Sequence, residues 1–208
     1  QEADIISLSL GSDPGQGMGI ETETVTSVQE ALDEGIFVIA AAGNTGADSS
    51  DVSVPANIEG VIAVGAYRSS GTIWPDSASG SDIDPYTGQS REYPHQKPEI
   101  IAPGVNIFST ASTELVPPYA YSSGTSDSTV FVTGALALIL EQFGDEIAGE
   151  DGKIDSEEMA MVKRALANSA NQESSSVGNH SSRLGYGSLN AMEWANQLSF
   201  QLNIGLQQ

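Results

Sequence analysis

Apolar residues along the chain gather in four short runs and then in two longer periodic stretches. Ile5-Ile6-Ser7-Leu8-Ser9-Leu10, Ile36-Phe37-Val38-Ile39-Ala40-Ala41, Val61-Ile62-Ala63-Val64 and Ile100-Ile101-Ala102 are close to continuous rather than alternating. That is the pattern of strands buried on both faces, which pair in parallel. Between the first two runs, Val25, Val28, Ala31 and Leu32 recur at helical spacing, with Thr22 predicted as the cap and Gly35 as the stop. Together these segments predict one βαβ unit.

From Thr125 an apolar segment extends to about Phe143, and Ser156 to Ser169 sets Met159, Val162, Ala165 and Leu166 on one stripe. Both predict helices, the second opened by Ser156-Glu157-Glu158-Met159. Trp74 and Trp194 are expected to anchor a loop and a terminal helix. Thr45 to Asn57 and Arg68 to Pro98 are rich in Gly, Ser, Asp and Pro and predict surface loops or insertions. The longest apolar run, Val130 to Leu140, is interrupted by Thr133 and Gly134 and falls short of the ~20 residues a bilayer requires. No membrane partner is expected.

With 208 residues and 39% hydrophobic content, the chain suffices for one domain, or a large piece of one. Seven Lys and Arg against 28 Asp and Glu give a net charge of −21, which repels nucleic acid and excludes it as a partner. The carboxylates are scattered over the loops rather than gathered in a tail. Such a surface suits concentrated salt, where a Debye length of ~3 Å near 1 M screens their mutual repulsion; the alternative is an ordinary acidic secreted protein. The absence of Cys excludes disulfides, thiolate metal sites and Cys nucleophiles. A first residue Gln1, without an initiator Met or a signal peptide, predicts a cleaved or truncated product.

Two motifs carry chemistry. Ser122-Ser123-Gly124-Thr125-Ser126 stands directly before the long apolar helix, so the Ser126 hydroxyl falls where backbone N–H groups and the helix dipole favour developing negative charge. Ala41-Ala42-Gly43-Asn44-Thr45-Gly46 follows a buried run, and an amide at a strand end can donate to an oxyanion. Alone, the first reads as a helix cap and the second as a turn.

Together with Lys97-Pro98-Glu99-Ile100-Ile101-Ala102-Pro103-Gly104-Val105-Asn106-Ile107 between them, and with Asp4 to Gly11, Pro55-Ala56-Asn57, Val61 to Ala66 and Gly185 to Ala191 in order, the chain resembles the subtilisin-like serine proteases. The resemblance implies an α/β, three-layer αβα fold with a mostly parallel sheet whose amino-terminal strands are missing from this chain. It implies a serine endopeptidase that is secreted, here into a high-salt environment. Ser126 is implied as the nucleophile, and Asn44 with the Ser126 N–H as oxyanion donors. Ser9, Leu10 and Gly11 become the strand that an extended peptide or protein substrate lies against, and Ala41, Ala42 and Gly43 a wall of the specificity pocket. No cofactor is required.

The departures matter as much. After the nucleophile the chain reads Asp127-Ser128-Thr129-Val130-Phe131-Val132-Thr133-Gly134, where the family has a Met-Ala-Thr-Pro-His-Val-Ala-Gly type run. Asp127 sets a carboxylate beside the nucleophile, which implies slower acylation or a preference for cationic substrates. Val130 and Phe131 are read as packing changes at core-facing positions. The family's Asp and His precede the segment that here opens at Asp4, and His95 and His180, expected as exposed loop residues, match neither. Loss of that region would bare Ile5 to Leu10 as an edge strand. A companion amino-terminal fragment, a longer parent polypeptide, or a partner covering the edge of an inactive interaction module would each satisfy it. Finally, Asp151-Gly152-Lys153-Ile154-Asp155-Ser156-Glu157-Glu158 resembles the second half of an EF-hand loop, with Asp151, Asp155 and Glu158 as ligands for a possible calcium ion, although the first half does not fit. Glu99 offers a single carboxylate near where some family members bind a cation.

Overall fold

A computed structural model describes residues 3–14, 18–112, 117–171 and 179–205. The four apolar runs become β1 (Ile5–Leu8), β2 (Phe37–Ala41), β3 (Ile62–Tyr67) and β4 (Ile100–Pro103), paired in that order as one parallel sheet. The inner strands justify their lack of alternation: all five residues of β2 and the first five of β3 are buried. α1 (Met18–Asp33) makes the first crossover. It begins before Thr22, which therefore lies inside the helix, its carbonyl accepting from Thr26 Oγ1 at 2.9 Å, and does not cap it. Gly35 does end it: at φ 81 its N–H bonds back to Leu32 O at 3.0 Å.

α2 (Thr125–Ala148) packs across all four strands. Strand alternation places the two helices on opposite faces of the sheet. Ser7 Oγ meets Thr133 Oγ1 of α2 at 2.8 Å, whereas its neighbours Ile6 and Leu8 line a groove with Val28 and Ala31 of α1. α3 (Ser156–Ser169) and α4 (Ala191–Gly205) stack on the α2 side, where the fully buried Trp194 donates from Nε1 to Val162 O at 3.0 Å. The result is the expected αβα layering. Val130 and Phe131 correct the sequence reading: they are 54% and 41% exposed. The buried stripe of α2 runs through Ser128, Thr129, Val132, Ala135, Leu136 and Ile139, and a 3.6-residue period carries 130 and 131 off it.

Two features were not anticipated. β5 (Ile107–Thr110) and β6 (Tyr119–Ser122) form an antiparallel ribbon leading into α2, with Phe108, Tyr119 and Tyr121 exposed on one face. The loop 68–98 is pinned by Arg91, whose guanidinium forms a buried two-pronged pair with Asp51 (2.8 and 3.0 Å) and also donates to Ser81 O and Asn57 O. Among the described residues β1 pairs on one side only, and Leu10 beyond it is 59% exposed.

Candidate active site

The carboxyl ends of β1 and β2 and the start of α2 converge at one edge of the sheet, the position where parallel α/β sheets place their sites. Asn44 follows β2, and its Oδ1 accepts from both the backbone N and the Oγ1 of Thr125, at 3.0 and 2.9 Å. Two donors on one oxygen settle the amide's orientation, so Nδ2 is the outward, donating end. Thr125, fully buried, also accepts from Gly43 N at 3.1 Å and so ties the strand end to the helix start. Ser126 N lies in the first helical turn, where N–H groups have no partner within the helix. A Cβ added to Gly124 would stand 3.6 Å from Asn44 Nδ2 and 3.6 Å from Ser126 N. Both donors therefore border one small space beside the Ser126 hydroxyl.

That hydroxyl donates to Ser9 O at 3.1 Å, and Ser9 Oγ returns a bond to Ser126 O at 2.9 Å. The clasp places Ser126, the candidate nucleophile, on the segment expected to receive substrate, but a peptide carbonyl is no base. Asp127 serves two environments at once. Its Oδ2 accepts from Ser122 Oγ at 3.0 Å, as a helix-start charge should, yet it also lies 3.6 Å from the Gly124 position that the two donors border.

Ser9 bonds Ser126, and Leu10, Gly11, Ala41, Gly43, Asn44 and Ser126 line a cavity of ≈ 350 Å³. Ala42 does not line it; its side chain is fully buried, and its N–H and carbonyl bond Val64 O and Ser53 N. Thr125, Ser53 and Asp13, which sequence reasoning missed, do line it. Thr125 was legible as part of Gly-Thr-Ser before the helix. Nothing in the sequence marks Ser53, because a loop brings it in.

Neither histidine reaches this edge. Both are half-buried rather than exposed, at the amino ends of the strands. His95 Nδ1 lies 3.0 Å from Lys163 Nζ and 3.2 Å from Glu59 O. Its pKa is pushed down to about 3, first by burial and then by Lys163 and Lys97. His180 Nε2 donates to Pro98 O at 2.9 Å, and burial lowers its pKa as well. Glu99 pairs with both Lys97 (2.9 Å) and Lys163 (2.7 Å) through Oε1 and accepts from Ala63 N through Oε2, so its carboxylate is already engaged. Burial outweighs that attraction at Lys97, whose pKa falls to about 7.

In the EF-hand-like loop, Asp155 caps α3 by accepting from Glu157 N at 2.7 Å, while Glu158 reaches back to Asp155 N at 3.0 Å. A side-chain hydrogen bond between the two carboxyl groups is the largest cause of both shifts, lowering the Asp155 pKa and raising that of Glu158. These two carboxylates form a capping box. The Asp151 side chain lies outside the described residues, and among the described residues no three His, Cys, Asp or Glu gather as metal ligands.

Comparison with known proteins adds the wider frame. The model of the subtilase family matches residues 1–187. Serine protease AprX of Bacillus subtilis (strain 168) is 38% identical over 157 residues, covering 68% of this chain and 34% of that protein. Subtilisin amylosacchariticus of Bacillus subtilis subsp. amylosacchariticus is 38% identical over 141 residues, covering 67% of this chain and 31% of its own length. Among solved structures, the prenylagaramide maturation protease PagA superposes with a TM-score of 0.67 at 29% identity, over 94% of this chain and 62% of that one. The self-cleaved protease domain of PatA gives 0.65 at 27% identity, over 95% and 63%. The chain thus spans about a third of the length of these sequence relatives.

Proposed function

The chain belongs to the subtilase family, and on that premise we propose that it is the nucleophile-bearing part of a serine endopeptidase. Ser126 Oγ attacks a peptide carbonyl, and the oxyanion that forms is held by Asn44 Nδ2 and Ser126 N. The hydroxyl proton passes to a base and then to the departing amine; water releases the acyl group by the same steps in reverse. The observation that carries this reading is the shared space bordered by the Thr125-fixed Asn44 amide and Ser126 N, next to the Ser126 hydroxyl.

Acid and base are supplied, in this reading, by an amino-terminal segment outside these 208 residues, packed on the open side of β1. The half-buried Ile6 and Leu8 and the groove they share with α1 support it. The reaction as written draws on no cofactor. Secretion into a salty medium fits the net charge of −21. No described helix is long and apolar enough to cross a membrane. The second reading, an interaction module without turnover, is favoured by one observation: the Asp127 carboxylate borders the oxyanion space.

A fluorophosphonate probe applied to the natural protein in molar salt separates the two. The enzyme predicts a covalent adduct on Ser126, mapped by peptide mass spectrometry and absent in Ser126→Ala. Failure of every assembly containing the chain to label would sink the enzyme and leave the module.

A further inference from the structure

At the amino edge of the sheet, near where some members of the family bind a cation, oxygens gather around a single point. Glu99 Oε1 and the carbonyls of Glu59 and Val61 face it, and such oxygens are the kind that hold hard cations. The point is filled by a nitrogen. Lys163 Nζ, reaching in from α3, lies 2.7 Å from Glu99 Oε1, 2.7 Å from Glu59 O and 3.2 Å from Val61 O, and His95 Nδ1 stands 3.0 Å away. Lys97 Nζ bonds two of the same oxygens, Val61 O and, at 2.9 Å, Glu99 Oε1. Lys97, Glu99 and Lys163 are 0%, 1% and 2% exposed.

A metal ion does not suit this cage as built. Calcium–oxygen bonds run at about 2.3–2.6 Å, shorter than the spacings around Lys163 Nζ, and an entering ion would stand against two ammonium groups with one carboxylate to offset them. We propose that the Lys163 ammonium is itself the resident cation of the cage, a charge tethered to α3 that fastens this helix to the strand ends in place of a dissociable ion. Its three N–H donors meet acceptors on the loop before β3, on the segment entering β4 and on His95. The attachment therefore does not vary with the ions of the medium, and a free cation can enter only where the Lys163 amine is removed. The inference is independent of the reading of Ser126 and Asn44.

The test follows thermal melting of the natural protein at fixed ionic strength, in tetramethylammonium chloride, whose cation is too bulky for the cage, or in propylammonium chloride, whose cation replaces the end of a lysine side chain. Lys163→Met keeps the apolar stem and removes the charge, leaving Glu59 O without its donor, whereas Lys163→Ala also opens the space. Both variants are expected to melt about 5–10 °C lower in tetramethylammonium. Propylammonium should return at least half of that loss to Lys163→Ala, saturably, and none to Lys163→Met; the unsubstituted protein should melt within about 1 °C in the two salts. Equal melting of Lys163→Met and the unsubstituted protein overturns the proposal, as does propylammonium acting alike on both variants. Calcium that stabilises the unsubstituted protein but not Glu99→Gln would place a metal at Glu99 and overturns it as well. If Lys163→Ala folds in neither salt, the Lys163→Met comparison and the calcium titration still decide.

Discussion

The two edges of the parallel sheet treat polar groups in opposite ways. At the amino edge, Lys97, Lys163, Glu99 and His95 are drawn into the protein and bonded to one another and to the carbonyls of Glu59 and Val61. At the carboxyl edge, Asn44 Nδ2, Ser126 N and the Ser53 hydroxyl border open space. Charge inside a low-dielectric interior is tolerable only when every partner is present, so the amino edge is arranged to stay as it is. A reacting site requires donors left for a group that has yet to arrive. The same sheet therefore separates a region that holds structure from one that the proposed reaction would use. It also separates both histidines from Ser126.

The widest break in this contrast should come from Glu99→Gln, which leaves two buried ammonium groups without their carboxylate. A loss of ~3–5 kcal/mol is expected in urea unfolding; a loss under ~1 kcal/mol would mean that the cluster is not what fixes this edge. Asn44→Ala should act in the opposite sense, lowering the rate of Ser126 acylation by about 10²–10³, the magnitude known for one such donor in subtilisin itself, not one obtained from this structure. Stability should change far less than in Glu99→Gln, because the Thr125 N–H and hydroxyl lie beside a cavity open to water.

A subtler comparison uses pH. The folded pKa of His95 lies near 3, below the 6.5 of an exposed imidazole, so as pH falls the unfolded chain takes up its proton first. Stability should therefore decline from about pH 6.5 down to about pH 3 and level off below. His95→Gln should flatten that part of the melting-temperature profile; an unchanged profile would place the acid sensitivity elsewhere.

Much of the framework was legible in the chain. Continuous apolar runs specified β2, β3 and β4 because strands covered on both faces cannot alternate, and Gly35 marked the end of α1 because the turn needs a positive φ. Ser126 and Asn44 were singled out only through the resemblance to the subtilisin-like proteases, since a serine at a helix start alone reads as a cap and an amide at a strand end alone as a turn. The β5–β6 ribbon was not, since exposed aromatics give no core-facing period. Val130 and Phe131 misled because hydrophobicity alone does not say which face of a helix a residue occupies.

What the sequence determined by itself were the local and periodic properties: which segments are strands or helices, the excess of carboxylates, the absence of thiols, and the residue types that could attack or donate. Only the tertiary structure decided which of them meet. Thr125 fixes the Asn44 amide across 81 residues of chain, Ser53 comes to line the cavity because its loop is tied to Ser12 and Ala42, and Asp155 and Glu158 bond each other as a helix cap. Such pairings depend on three-dimensional separation and on which bonds each group has already made, and neither quantity is local along a polypeptide.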